Sequence, residues 1–269
     1  MSDVLPSEIA SGLDATVSRR GSLGSPVYYF NETGSTNDVA ATLAEQGSPE
    51  GTLVLASAQT AGRGRLGRRW HSPPDAGLYA SLIVRDTVSA PFLTLAGGVA
   101  AAEGIIRATG LPVQIKWPND IIVVDSAGPA KRRKLAGILA EASSGMEGVA
   151  YVVLGIGINL RNTAYPPELG DRATSIEREL GRAVDGGRIL GELLAALEER
   201  LARIREGSST ELLEAWRRLS PTSAGGAVEF DTLEGRATGF AAGIDETGAL
   251  LVRVGGRVER VIAGEVVWK

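Results

Sequence analysis

Between Ile189 and Ile204 the aliphatic residues Ile189, Leu190, Leu193, Leu194, Leu197, Leu201 and Ile204 recur at helical spacing, while Glu and Arg cover the other face. A helix this one-sided, over Arg188–Glu206, is stable only when its stripe is covered, so the rest of the chain must supply an apolar surface. The segments upstream meet that demand. Short apolar runs at Val27–Phe30, Thr52–Ala58, Gly77–Arg85, Ile121–Val124, Lys134–Glu141 and Val149–Leu160 read as strands joined by Gly- and Ser-containing loops. A helix follows Gly34 and ends at Gly47, and Phe92–Thr109 reads as a buried, small-residue helix. The expected fold is α+β, a mixed and largely antiparallel sheet with helices packed on it.

A further helix over Glu211–Leu219 closes at Pro221, where the pattern changes. Residues 226–231, 235–243, 249–254, 257–262 and 265–268 are short β-rich runs split by LEG, DETG and GGR turns. Runs this short and close together predict a small SH3-like β-barrel. Its acidic residues outnumber its basic ones, a poor composition for reading nucleic acid. The expected organisation is therefore a mobile lead-in at 1–25 with at most a short helix, a main domain at 26–220 and a barrel at 221–269.

Composition removes several chemistries. The chain has no Cys, so disulfides, thiolate zinc sites and thiol nucleophiles are excluded. Its one His, His71, leaves no multi-His metal site and argues against a Ser-His-Asp triad. A net charge of −4 argues against a protein built to coat nucleic acid. The N-terminus lacks a basic and then apolar signal pattern, and the weakly polar stretch 90–102 is short for a membrane span. A cytoplasmic protein without membrane partners is expected.

Four segments carry chemistry. Gly62–Arg69 holds Arg63, Arg65, Arg68 and Arg69 alternating with glycines and no acid. Gly backbone and guanidinium together suit a phosphate or carboxylate, although a solvated basic loop or a nucleic-acid contact has the same composition. Neither a Walker loop nor a dinucleotide turn is present. Without an anion, self-repulsion is expected to leave this loop disordered. In Ile115–Val124, Lys116, Asn119 and Asp120 flank Trp117-Pro118 before a strand, which is either a polar site or a plain turn. In Lys134–Glu141 a Lys opens an apolar strand expected to pair with Val152–Leu160. That Lys either meets an anion or ends the solvated run Lys131–Lys134. Gly137, Gly155 and Gly157 inside these strands suggest a ligand lying on the sheet. The fourth segment, Gly34–Asn37, either caps a helix or binds a ligand.

Taken in this order and spacing, GSTN, QTAGRGRLGR, KWPND, KLAGILAE and GIGIN resemble the biotin–protein ligases. The likeness is strong from Phe30 to Asn159, continues through Ala173–Ile176 and is looser in the tail. It implies a catalytic domain of the class II aminoacyl-tRNA synthetase type with an SH3-like tail. It also implies ATP-dependent formation of biotinyl-5′-AMP, then transfer of biotin to a lysine of a biotin carboxyl carrier protein. Biotin and ATP would be the substrates, with Mg²⁺ accompanying ATP. By the same likeness Ser35, Thr36, Asn37 and Gln59 contact biotin, and Arg63, Gly64 and Arg65 belong to a loop closing over the adenylate. Lys134 would meet the carboxylate and α-phosphate, with Trp70 and Asn159 beside the nucleotide and Gly137 beneath the ligand. Lys116 and Asp120 fall where the family handles catalysis or the acceptor lysine, Asn119 counts with the substrate contacts, and Lys134, Arg65 and Asp120 are the candidate catalytic residues. His71 receives no role.

Too few residues precede Val27 for the winged helix of family members that also repress transcription, so a monofunctional ligase, monomeric or weakly dimeric and without specific DNA binding, is expected. Two rivals stay open at this stage. One is a lipoate ligase on the same fold. The other, of a different class, is a nucleic-acid-binding protein using the Arg/Gly loop.

Overall fold

Two β-sheets organise the computed structural model, which describes residues 2–124, 131–145, 148–232, 235–262, 264 and 266–269. In chain order the main domain contains α1 (Ser7–Ala15), β1 (Val27–Thr33), α2 (Thr36–Glu45), β2 (Leu53–Gln59), β3 (Gly77–Val84) and α3 (Leu93–Thr109). It continues with β4 (Gln114–Lys116), β5 (Asp120–Val124), β6 (Arg132–Gly145), β7 (Gly148–Asn159), α4 (Ile176–Leu180), α5 (Gly186–Arg205) and α6 (Thr210–Leu219). The strands join in the order β1-β2-β3-β7-β6-β5-β4. Only the β1–β2 pair is parallel among the described pairs of this sheet. This is the mixed, largely antiparallel sheet expected.

Strand alternation decides where the core lies. Leu53 and Leu55, Leu78 and Leu82, and Leu154, Ile156 and Ile158 share the main core with the stripe of α5 and the buried face of α3. Val54, Ile83, Tyr151 and Val153 point the other way, onto Ala40 and Ala44 of α2. Burying an aliphatic side chain of this size contributes about 1.5–3 kcal/mol, so a one-residue slip that exchanged the faces would forfeit most of the core. The α5 stripe is thus covered as its sequence demands. β4 and α4 were not anticipated. Both are short, and each is held by its neighbours: β4 pairs with β5 from Lys116 opposite Asp120, and Ser175 caps α4 by accepting from the Arg178 N–H.

The N-terminal segment departs from the mobile lead-in expected. Helix α1 packs on α5 with backbones almost touching: a Cβ on Gly12 would lie 2.0 Å from the Gly187 carbonyl oxygen, and one on Gly187 2.0 Å from that of Glu8. Leu13 and Leu23 are buried in the main core, and Glu8 accepts from the Gly186 N–H at 2.5 Å. Gly12 of α1 and Gly187 and Gly191 of α5 create this contact, and no local pattern joins the two helices.

The apolar helix is buried, as its small residues predict, and it runs on past the stretch 90–102. The helical segment Ala90–Thr109, 20 residues long, is by length and composition able to cross a membrane. Here it lies in the core, with Gly104 placed against the Leu193 backbone of α5.

The tail forms β8 (Ala224–Thr232), β9 (Gly235–Ile244), β10 (Leu250–Val254), β11 (Arg257–Val261) and β12 (Val266–Trp268). These pair antiparallel in the order β11-β10-β9-β8-β12. Of the expected turns and strands, residues 233, 234 and 265 lie outside the described residues. Val228, Phe230, Ile244 and Leu250 belong to the same hydrophobic cluster as the main core. Trp117 Nε1 donates to the Gly248 carbonyl at 3.0 Å, Arg217 to that of Ile244 at 3.1 Å, and Ser220 Oγ to that of Ile115 at 2.6 Å.

The glycine contact of α1 gives a first prediction. Gly12→Leu should lower the unfolding free energy by about 2 kcal/mol or more, because the added side chain meets rigid backbone. Urea denaturation measures it, with the exposed neighbouring change Ser11→Ala as a control expected within about 0.5 kcal/mol of wild type.

Candidate active site

The face of the sheet that α2 covers only in part carries small residues: Ser81 on β3, Gly155 and Gly157 on β7, and Gly137 on β6, the last paired with Gly157. Above them opens a cavity of about 800 Å³. Ser35, Thr36, Asn37, Gln59, Arg63, Gly64, Arg65, Trp70, Lys116, Asn119, Asp120, Lys134, Gly137 and Asn159 all line it, as does His71. Five segments remote in the chain thus converge on one volume.

At one end is a tightly bonded polar group. The Thr36 N–H and hydroxyl donate to Gln59 Oε1 at 2.8 and 3.1 Å, and Gln59 Nε2 donates to Ser72 Oγ at 2.9 Å. The buried Ser81 hydroxyl donates to Asn37 Oδ1 at 2.5 Å and lies 2.8 Å from Thr36 Oγ1. Asn37 Nδ2 donates to Glu141 Oε2 at 2.6 Å. Ser35 and Thr36 open α2, so backbone N–H groups of a helix N-terminus also face this end. Asn37 is 5 % exposed, and both ends of its amide meet protein groups.

The opposite end is cationic. Lys134 Nζ sits 2.6 Å from Asp120 Oδ1 and 5.3 Å from the centre of the Trp70 ring. The backbone of Lys134 is pinned too: its N–H donates to the Arg172 carbonyl at 2.8 Å, and its own carbonyl accepts from Thr174 at 2.9 Å. Asn159 Nδ2 donates to the Thr174 carbonyl at 2.9 Å, fixing the same segment. Asn119 Nδ2 donates to the Ile138 carbonyl at 2.6 Å, and Arg65 Nη1 reaches Asn119 Oδ1 at 3.5 Å. Burial holds the pKa of Lys116 below its ordinary value, and the Asp120 charge offsets this in part. Burial likewise lowers that of Arg65, again with Asp120 opposing. One carboxylate therefore faces several partly desolvated cations, an arrangement that favours an added anion.

Two expectations need correction. The space above Gly155 and Gly157 is filled by protein: a Cβ on Gly155 would lie 2.4 Å from Asn37 Oδ1, and one on Gly157 2.6 Å from Trp70 Cε2. These glycines admit side chains that wall the cavity, so their absent Cβ atoms do not by themselves mark a ligand. The Arg/Gly loop, expected to be disordered without an anion, is instead folded on itself. Gly64 N–H donates to the Arg68 carbonyl at 2.7 Å, Arg68 N–H to that of Arg65 at 3.1 Å, and Trp70 N–H to that of Gly62 at 2.9 Å. The countercharge comes from the chain: Arg63 Nη2 lies 2.8 Å from Asp38 Oδ1 and 2.9 Å from Glu141 Oε2.

Other residues at the cavity escaped sequence reasoning. Tyr165 and Leu169 form one wall, and Val266, Val267 and Trp268 bring the tail domain to its rim, where Arg132 stacks over Trp268 at 5.7 Å. No motif announces them, since their place depends on how the two sheets pack. Trp70 Nε1 is buried with no hydrogen-bond partner among the described residues, a donor left over inside the site.

A cavity that sets hydrogen-bonding amides and hydroxyls beside a cluster of cations suits an anionic small molecule. The comparisons define it further. Residues 29–159 match the biotin/lipoate A/B protein ligase family, and residues 225–268 match the biotin protein ligase C-terminal domain. The chain is 34% identical over 265 residues to the bifunctional ligase/repressor BirA of Bacillus subtilis, covering 97% of this chain and 78% of that protein. It is 37% identical over 247 residues to the biotin–[acetyl-CoA-carboxylase] ligase of Mycobacterium tuberculosis, covering 88% and 86% of the two chains. The biotin protein ligase of Aquifex aeolicus, solved with biotin and ATP, superposes with a TM-score of 0.76 at 29% identity, covering 91% of this chain and 99% of that one. The chain belongs to the biotin/lipoate A/B protein ligase family.

The depressed Lys116 pKa yields a prediction with a definite sign. Between the folded and the unfolded pKa the unfolded chain holds more protons, so stability rises with pH through that window and the buried charge is a cost below it. Lys116→Met should raise the thermal midpoint of the ligand-free protein at pH 7 by a few degrees while slowing catalysis. Calorimetry at pH 7 and at pH 9.5 checks it, the gain being smaller at the higher pH.

Proposed function

We infer that this protein activates biotin with ATP to biotinyl-5′-AMP and pyrophosphate, then transfers biotin to a lysine of a biotin carboxyl carrier protein. The observation that carries this reading is the polarity of the cavity: uncharged donors and acceptors from Ser35, Thr36 and Gln59 at one end, Lys134, Lys116 and Arg65 at the other. A neutral ring system with a carboxylate tail lies along such a gradient with its carboxylate among the cations. The curated relatives named as ligases for acetyl-CoA-carboxylase supply the carrier, and they favour biotin over lipoate.

In the first step a carboxylate oxygen attacks the α-phosphorus of ATP, and pyrophosphate leaves with the bonding electrons. Both reactants are anionic, and at 4 Å with an effective dielectric near 20 their repulsion is about 4 kcal/mol. Lys134 and Arg65, which line the cavity, offset it where negative charge accumulates. Trp70 and Asn159 flank the nucleotide in this proposal, with Gly64 and Arg63 holding the loop. Among the described residues no three Asp, Glu or His converge to cage a metal. Mg²⁺ is therefore assigned to the triphosphate, entering with ATP, and no step here runs through it.

The second step uses the same ion pair in a new state. A phosphate arriving at Lys134 competes for the ammonium that now holds Asp120. Asp120 is then released to orient the incoming lysine amine toward the acyl carbon, with Asn119 and Lys116 beside it. The amine nitrogen bonds to that carbon, the carbon–oxygen bond to phosphate breaks, AMP leaves with the electron pair, and the amine sheds its proton. No covalent enzyme intermediate is required. The proposal includes no sequence-specific DNA partner: α1 spends its buried face on α5.

Biotin-dependent ATP–pyrophosphate exchange, with lipoate as the control acid, tests the reading, and exchange supported equally by lipoate would overturn its substrate. Lys134→Ala should reduce single-turnover adenylate formation by about 10²-fold or more with the fold intact by circular dichroism. Arg65→Gly should instead shorten the residence time of biotinyl-AMP and let escaped adenylate label unrelated lysines, detected on a streptavidin blot.

A further inference from the structure

We propose that Glu141, at the far end of the KLAGILAE strand, is a positioning residue that ties the polar, biotin-facing end of the cavity to the Arg/Gly loop. One carboxylate oxygen, Oε2, accepts from Asn37 Nδ2 at 2.6 Å and from Arg63 Nη2 at 2.9 Å. The inference rests on the function proposed above and adds a residue to it.

The chemistry of the two bonds differs, which makes the two roles separable. A carboxylate accepts and never donates, so Glu141 compels Asn37 to present its NH₂ group and turns Asn37 Oδ1 toward the Ser81 hydroxyl, 2.5 Å away. Any fixed acceptor at that point would impose the same orientation. Asn37 and Ser81 therefore keep one defined orientation at the polar end of the cavity, beside the Thr36–Gln59 pair. Arg63 requires charge. Its guanidinium is shared between Glu141 and Asp38, both partly exposed. Exposed pairs of this kind contribute little each, so the tether holds the loop yet yields readily when an acceptor must enter. Glu141 lies on β6 outside the cavity lining, and it reaches any ligand through Asn37 and Arg63.

Three variants of the full-length protein separate the roles. Glu141→Leu removes acceptor and charge, and should raise the KM for biotin by about five- to ten-fold and speed loss of bound biotinyl-AMP several-fold. Glu141→Gln keeps an acceptor for Asn37, so the KM for biotin should stay within about two-fold of wild type while adenylate loss still accelerates. Asp38→Asn should resemble Glu141→Gln. Hydrogen exchange over residues 62–69 in the ligand-free protein should rise in all three, a readout that needs no substrate. Hence wild type inactive in exchange assays, with this pattern intact, would sink the proposed function and leave the tether standing. The tether is overturned if Glu141→Leu leaves both KM and adenylate loss unchanged. It is also overturned if Leu and Gln shift KM equally, as a purely structural role would. Should Glu141→Leu not fold, unchanged adenylate loss and loop exchange in Glu141→Gln and Asp38→Asn overturn it.

Discussion

The site depends on the antiparallel register between β6 and β7. Gly137 opposite Gly157, with Gly155 two residues on, clears a strip of sheet of side chains. Over that strip lie Asn37 from the second helix and Trp70 from the Arg/Gly loop. The opposite faces of the same strands carry Ala136, Ile138, Leu154, Ile156 and Ile158 into the main core. Because side chains alternate, the packing that stabilises the sheet also decides which residues it offers to a ligand. A slip of one residue would bury the glycines and expose the aliphatic row. The register of the site is therefore as stable as the core.

Electrostatics on that platform follow a single pattern: cations that await an anion are held by carboxylates of the chain. Asp120 holds Lys134, while Asp38 and Glu141 hold Arg63. Each pair lowers the cost of gathering like charges in one place, and each can be exchanged for a phosphate or carboxylate of similar charge. Lys116, with its pKa depressed by burial and only partly restored by Asp120, shows that the balance is incomplete.

The tail domain belongs to the same physical unit. Its strands share the main hydrophobic cluster, and the turn at Gly248 receives the indole N–H of Trp117, in the middle of the KWPND segment. Val266, Val267 and Trp268 reach the rim of the cavity. The sequence marks a boundary at Pro221 because the pattern changes there, but a change of pattern says nothing about how closely the two parts pack.

What the sequence by itself determined is the set of elements and the chemistry available to them. Helical spacing set α5, β-rich runs between glycines set most strands, and the absence of Cys with a single His removed thiol chemistry and multi-His metal sites. The motifs also named, from five separate segments, the residues that line one cavity, because each kept its own local signature. Tertiary structure alone decided the rest. The docking of α1 arises from Gly12, Gly187 and Gly191, whose meeting leaves no local pattern. The ordered Arg/Gly loop arises from Asp38 and Glu141, which are distant from it in the chain. Trp70 over Gly157, and Trp268 at the rim, depend on how loop and tail pack. Periodicity records contacts a few residues apart, whereas these contacts exist only once remote segments share the same space.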